Sequence, residues 1–566
     1  MKYIGSFFRI NSMSLEEIQC QLLFLSRESL KHILLESKCG VPISQKALKK
    51  NFTKDDYNKL KEFTPLLSLY KKAKPVIYLS QNSKCWDEST FKKEIDINSN
   101  ALLTLSLIKL STYYEKFKNI DNTLFKLSKT YKKICKIQLD FYYKNLRNKE
   151  GFFICKKNVS TTNSSYPELT DKTSKISFAE QGYMMVAYYL YAINCDDNED
   201  KNNFKEFSLE ILDMLDYFKD KIYESDLEEC CHLTYALNLM YKYSKNDKCK
   251  ELLIDLCDFI LSKHLELGIN SKDISTTALT ALNSYLCYKN TSISLFKENF
   301  IDICKSFKNT FNSDMSIFTK PGDKKEIKYY NIELILYLVN LMIYNRDIEK
   351  DSELESIICQ YYKNAILSSS ILTSFPEAPS IDSAERYKNF SMRSEDLLED
   401  SMFKCADIPT PSLTALAPIF VKNQSYSKKK KAFSSSSKTS FESFNNMFIF
   451  NVLIEMFNDD YIKFIFPIKP INLINPVAPI KNIKSQETQA TLSEQETQPT
   501  LSEVVNSNLN RLRGSDDITL TDDNSNLNDF IEINEFDSTT NSSDIINNFL
   551  DDDIDSDDTN DFDDLN

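Results

Sequence analysis

Ala236-Leu237-Asn238-Leu239-Met240 recurs as Ala281-Leu282-Asn283-Ser284-Tyr285 and, more loosely, as Leu338-Val339-Asn340-Leu341-Met342. Tyrosines follow the copies at Tyr243, Tyr288 and Tyr344, and Ala187-Tyr188-Tyr189-Leu190-Tyr191 reads as an older, weaker copy. The four copies start 49, 45 and 57 residues apart. A period of ~40–50 residues is what a two-helix unit takes. Each unit has an apolar face that only its neighbour can cover, so the units must stack.

Working outward, amphipathic periodicity predicts helices near 98–117, 122–146, 177–194, 203–222, 226–244, 248–265, 272–288, 293–311, 330–345 and 350–368, with another at 441–458. Ser14 before Leu15-Glu16-Glu17 is an N-cap signal for an earlier one. One short strand is expected near Pro75–Ser80. The prolines of FPEAPS and of Pro409–Pro418 break the helical pattern, and Lys428–Lys431 before Ser434–Ser437 reads as an exposed loop. The expected organisation is a basic, mostly helical segment 1–93, a helix-pair repeat domain 94–372, and a loop with a closing helix, 373–470. A Pro-rich, low-complexity linker, 471–514, then leads to an acidic tail, 515–566. The fold class is all-α: stacked helix-pair repeats, as an α/α toroid or a short solenoid, with a disordered acidic C-terminal tail.

Composition excludes several functions. The chain holds 7 glycines, where average usage would give about 40. No two lie close together, so a P-loop, a dinucleotide-binding turn and a kinase-type glycine loop are all ruled out. The 14 cysteines are scattered without a CxxC, and the 3 histidines stand apart, so no metal or other cofactor is expected. The start, MKYIGSFFRINSMS, has no signal-peptide core, and no apolar run reaches the ~18 residues of a membrane span. Cytoplasmic location without membrane contact is the expectation.

The charge is unevenly placed. Of 82 acidic side chains, 18 fall in 515–566, which has no Lys or Arg, leaving 64 acidic against 69 basic elsewhere. Residues 1–93 alone hold 17 basic and 9 acidic side chains. No segment interleaves aromatic and basic residues as single-stranded nucleic acid demands, so a nucleic-acid partner is not expected. Within the tail, Ile545, Ile546, Phe549 and Leu550 follow Asp544 at positions that share one face of a short induced helix. These four are the expected binding residues for a protein partner, either another protein or the chain's own residues 1–93.

Glu180-Gln181-Gly182-Tyr183-Met184-Met185-Val186-Ala187-Tyr188-Tyr189-Leu190-Tyr191, preceded by Gly151 and the polar loop 156–175, resembles an inner helix of the six-hairpin glycosidase-like, or α/α-toroid, superfamily. The resemblance spans 98–460 at the level of architecture, and no catalytic motif of the family matches. It implies that inner-helix N-termini line one mouth. Glu180, Tyr183, Glu228, Glu229, His232, Asp273 and Tyr329–Tyr330 are then candidates for holding or cleaving a sugar. Glu228 and His232, at i and i+4, share one helix face and form a candidate acid/base couple, with a surface polar pair or a core histidine as the plainer reading. Trp86 is the one tryptophan available as a sugar platform. With no catalytic motif, the leading expectation is a non-enzymatic helical scaffold with a partner-binding tail. The alternative is a carbohydrate-active toroid enzyme of hydrolase, lyase or epimerase type.

Overall fold

The computed structural model describes residues 14–80, 83–160, 167–267, 274–320, 325–376, 416–434 and 439–465. The linker, the tail with Ile545, Ile546, Phe549 and Leu550, and Asp273 lie outside the described residues.

The helices are α1 (Leu15–Leu35), α2 (Gln45–Asn51), α3 (Lys54–Leu60), α4 (Ile97–Glu115), α5 (Asn122–Asn145), α6 (Phe178–Asn194), α7 (Asn198–Tyr217), α8 (Lys219–Ile222), α9 (Leu227–Ser244), α10 (Asp247–Leu267), α11 (Ile274–Thr291), α12 (Ser294–Thr310), α13 (Asn331–Asp347), α14 (Ser352–Tyr361) and α15 (Ser443–Ile465). Many start where the sequence supplies a side-chain oxygen for the open N–H groups of the first turn. Ser14 and Glu17 form a reciprocal capping box on α1, and Asp96, Asp121, Ser177, Asp197 and Asp226 cap their helices.

Among the described residues six helices make an inner ring. α4, α6, α9, α11 and α13 pack in succession, α15 follows α13, and α15 packs back on α4. The array is therefore a closed α/α toroid and not an open solenoid. α5, α7, α10, α12 and α14 each lie outside the inner helix they follow, and α1 backs α15 as the sixth outer helix. The two rings differ in sequence as they differ in burial. Inner helices are covered all round: Ala179–Ala192, Cys230–Tyr241 and Glu333–Asn345 are buried without a break. Outer α12 buries a single stripe of Phe296, Phe300, Ile303, Cys304 and Phe307.

The N-terminal segment holds more strand than the single one expected. β1 (Gly40–Pro42), β2 (Leu66–Ala73), the hairpin β3 (Ile77–Ser80)–β4 (Ser83–Trp86) and β5 (Lys92–Ile95) all precede α4. β6 (Lys156–Asn158) and β7 (Leu169–Asp171) extend one sheet in the order β1-β2-β5-β6-β7. Two further small sheets use β8 (Phe311–Asn312) with β9 (Ile317–Phe318), and β10 (Glu326–Tyr330) with β11 (Asn423–Ser427) and β12 (Ala432–Phe433). β13 (Phe441–Glu442) joins the main sheet by pairing with β2. The strands escape a periodicity reading because most are five residues or shorter, and β2 with β13, β5 with β6 and β10 with β11 pair segments distant in sequence. Lys428–Lys431 form the turn between β11 and β12, as an exposed loop should.

No disulfide joins the described cysteines, most of which are buried between helices. Among the described residues no helix is long and apolar enough to cross a membrane.

Candidate active site at the mouth of the ring

β5 runs directly into α4 through Asp96, which caps the helix: its carboxylate accepts from the Ser99 N–H at 2.9 Å and from the Ser99 hydroxyl. Ser99 Oγ lies 2.8 Å from Ser443 Oγ at the start of α15. α6 begins with Ser177-Phe178-Ala179-Glu180, a capping-box pattern. Ser177 Oγ accepts from the Glu180 N–H at 3.4 Å, but the Glu180 carboxyl turns inward to Cys155, with Oε1 3.2 Å from Sγ. Cys155 Sγ is also 3.9 Å from Asp96 Oδ1. One ligating atom each from Asp96, Cys155 and Glu180 lies within 4.8 Å of the others. From α9, Glu229 accepts the Phe178 N–H at 2.7 Å. Acidic side chains on three successive inner helices thus gather where the helix dipoles favour negative charge.

The environment raises the proton affinity of Glu180 and of Cys155. Burial, then the charges of Asp96 and Glu229, pushes Glu180 up to about 8, against the opposing pull of Cys155 and Lys71. Burial pushes the Cys155 thiol well up, and Glu180 and Asp96 add to this. At neutral pH Glu180 therefore keeps its proton and can act as an acid beside Asp96. Oxygen, sulfur and oxygen at this spacing are also a donor set for a metal ion, but ligation would have to displace the protons that burial holds on Cys155 and Glu180. The arrangement suits proton transfer better.

Of the sequence candidates, Glu180 and Glu229 meet at this mouth. Tyr183, one turn below Glu180, meets His232 across α6 and α9, with Oη 2.9 Å from Nδ1. Phe444 and Phe448 flank His232 at ring-centre distances of 5.0 and 4.8 Å. Burial pulls His232 down to about 4, so it is neutral at pH 7 and belongs to an aromatic plug under the mouth. Glu228 is exposed while His232 is buried, and Tyr183 and the two phenylalanines surround the imidazole. The buried Tyr329 hydroxyl donates to the Phe318 carbonyl, and the half-buried Tyr330 leads into α13. Trp86 is a core residue that donates to His32 Nε2 at 2.9 Å and packs on Phe441, so it is no sugar platform.

Sequence reasoning passed over Asp96, Ser99, Cys155 and Lys71. Asp96-Ile97-Asn98-Ser99 carries a legible helix-start signal. Nothing local marks Cys155, which reaches the mouth only through the pairing of β6 with β5.

No protein-family model matches this chain, and no curated protein matches it. Solved structures with a similar course include a D-mannose isomerase, at 8% identity over 81% of this chain and 100% of that one, with a TM-score of 0.46. The cellobiose 2-epimerase of Spirochaeta thermophila has 9% identity, covers 69% of this chain and 90% of its own, and has a TM-score of 0.42. A GH76 alpha-mannanase of Bacteroides thetaiotaomicron has 10% identity over 79% and 99%, with a TM-score of 0.40. Similarity at these identities concerns the fold alone.

Proposed function

We propose that this protein is an acid/base enzyme acting on a carbohydrate at the mouth of the ring. The observation that carries the reading is the close approach of Asp96 and Glu180, with Glu180 held protonated by burial and by its neighbours' charge. A carboxyl group kept protonated next to a second one can supply the acid of such a pair. Glu180 gives its proton to the departing or carbonyl oxygen, and Asp96 faces the positive charge that develops on the sugar. One oxygen of each carboxyl group lies within 4.8 Å of the other, nearer the ~5–5.5 Å spacing of a retaining glycosidase than the ~6.5–9.5 Å of an inverting one. Retaining cleavage or proton transfer on the sugar is the chemistry that fits.

The test is turnover of a panel of oligosaccharides and reducing sugars by the full chain, its Glu180→Gln and its Asp96→Asn. Folded variants that match the parent on every substrate it accepts, or no turnover by the parent, sink the reading.

A specific observation favours a scaffold as the second reading. Tyr183, His232, Phe444, Phe448 and Tyr235 fill the ring beneath the carboxyl pair. A ring plugged by aromatic side chains serves as a rigid platform, with a protein partner taken by the acidic segment 515–566.

A further inference from the structure

The main sheet presents lysines next to this mouth. Glu94 on β5 gathers Lys71, Lys92 and Lys172, with N···O distances of 3.9, 3.3 and 3.5 Å. Glu442 on β13 gathers Lys72 at 2.7 Å and Lys422 at 3.5 Å. The two groups are continuous, because Lys72 stands opposite both Lys92 and Glu442 in the sheet register. Five lysines thus face two carboxylates, an excess of three positive charges. The lysine side chains are 41–52% exposed, whereas Glu94 and Glu442 are only 10% and 15% exposed, so the positive heads are what solvent meets.

The placement ties this patch to the carboxyl pair. Glu94 is two residues before Asp96, and Glu442 is directly before Ser443, which reaches Asp96 through Ser99. The Lys71 charge is among those felt by Glu180. A mouth containing Asp96, Glu180 and Glu229 has no use for such a collar if its substrate is neutral. An anionic substrate would be repelled by Asp96 and Glu229, and a collar of lysines offsets that repulsion and steers the approach.

We propose that the sugar taken at this mouth carries an anionic group, a carboxylate or a phosphate ester, which docks on Lys71, Lys92 and Lys172 while the reacting carbon faces Asp96 and Glu180. This rests on the acid/base reading above and adds the substrate class. The sheet supplies charge and attachment, and the helix N-termini supply the chemistry.

The experiment is calorimetric titration of the full-length protein at low ionic strength with three probes: a uronic-acid disaccharide, glucose 6-phosphate and neutral cellobiose. At least one anionic probe should bind ten times or more tighter than cellobiose, and 0.5 M salt should erase the preference. Which anion wins distinguishes a uronide from a phosphosugar. Lys71→Ser/Lys92→Ser/Lys172→Ser should bring anion affinity down to that of cellobiose, and Lys71→Ser alone, a change at one exposed position, should lower it several-fold if the triple variant does not fold. Equal binding of all probes, no binding of either anion, or an unchanged preference in a folded lysine variant overturns the inference. The two ideas fail separately. Lysine-dependent binding without turnover leaves the anion site standing and removes the acid/base role, whereas turnover of neutral sugars only does the reverse.

Discussion

The Asn283 side-chain amide donates to the Cys231 backbone carbonyl at 2.8 Å, joining α11 to α9 in the inner ring. Asn340, one unit on, donates to Ala278 O at 2.8 Å and joins α13 to α11 in the same sense. Asn238 occupies the matching repeat position but points forward, with Nδ2 3.4 Å from Asn283 O. Two of the three repeat asparagines are therefore equivalent and the third is reversed. Each is a buried amide that ties one inner helix to the next.

Asn283→Asp should be much worse than Asn283→Leu. The carboxylate loses the donor and places charge in a closed core, while leucine removes a group whose Oδ1 already has no partner. Chemical denaturation should show a loss of about 3 kcal/mol or more for Asp and about 1–2 kcal/mol for Leu. Equal losses would mean that the amide has no bonding role.

Glu180 should leave a signature in both activity and stability. With its folded value near 8 against an ordinary ~4.3 in the unfolded chain, the folded state holds the extra proton between these limits. Its contribution to stability therefore declines as pH rises from about 4 to 8. Glu180→Gln should remove that slope, gaining on the parent at pH 8 relative to pH 5 in melting experiments. It should also cut turnover by about 10²–10⁴, and parent activity should fall above about pH 8. A parent profile flat to pH 9 contradicts an acid role.

At the far end of the ring Glu455 is fully enclosed by Lys109, Lys242 and Tyr243, with Lys109 Nζ at 3.2 Å and Tyr243 Oη at 2.8 Å. Burial alone would raise its proton affinity, but the two ammonium groups and the hydroxyl prevail and hold it down to about 2. That contribution is present above the ordinary glutamate value and disappears as pH falls from about 4 to 2. Lys109→Met should leave a poorly compensated buried charge and cost about 3 kcal/mol. The double variant Lys109→Met/Glu455→Gln should recover part of the loss, and a double-mutant cycle without coupling would refute the pairing.

Gly40 allows β1 to lie against β2. A Cβ there would sit 1.9 Å from the Ser68 carbonyl oxygen, and backbone cannot yield as a side chain can. Gly40→Ala should cost about 2 kcal/mol or more, read as a lower melting temperature. An unchanged melting temperature would mean that the strands part at no cost.

For the scaffold reading, a chain ending at Arg513 should lose a partner that the full chain retains. Phe549→Ala and Leu550→Ala should weaken the same partner more than any single aspartate change, because an induced helix binds through its apolar face. Affinity that follows salt alone, untouched by both substitutions, would reduce the tail to charge.

The inner-helix sequences determined the paired-helix architecture by themselves. Apolar stretches such as Tyr183–Ala192 and the recurring asparagines make sense only if each helix is enclosed by others, and helix starts at Ser14, Asp96, Ser177 and Asp226 follow from local capping. Only the tertiary structure decided that the ring closes, because closure depends on α15 packing between α13 and α4 while α1, from the other end of the described chain, backs it. The same holds for the mouth. Asp96, Cys155 and Glu180 are separated by 59 and 25 positions, and no periodicity links them. Strand pairing and parallel inner helices bring them together, and burial then sets their proton affinities, a property of the assembled surroundings and of no residue taken singly.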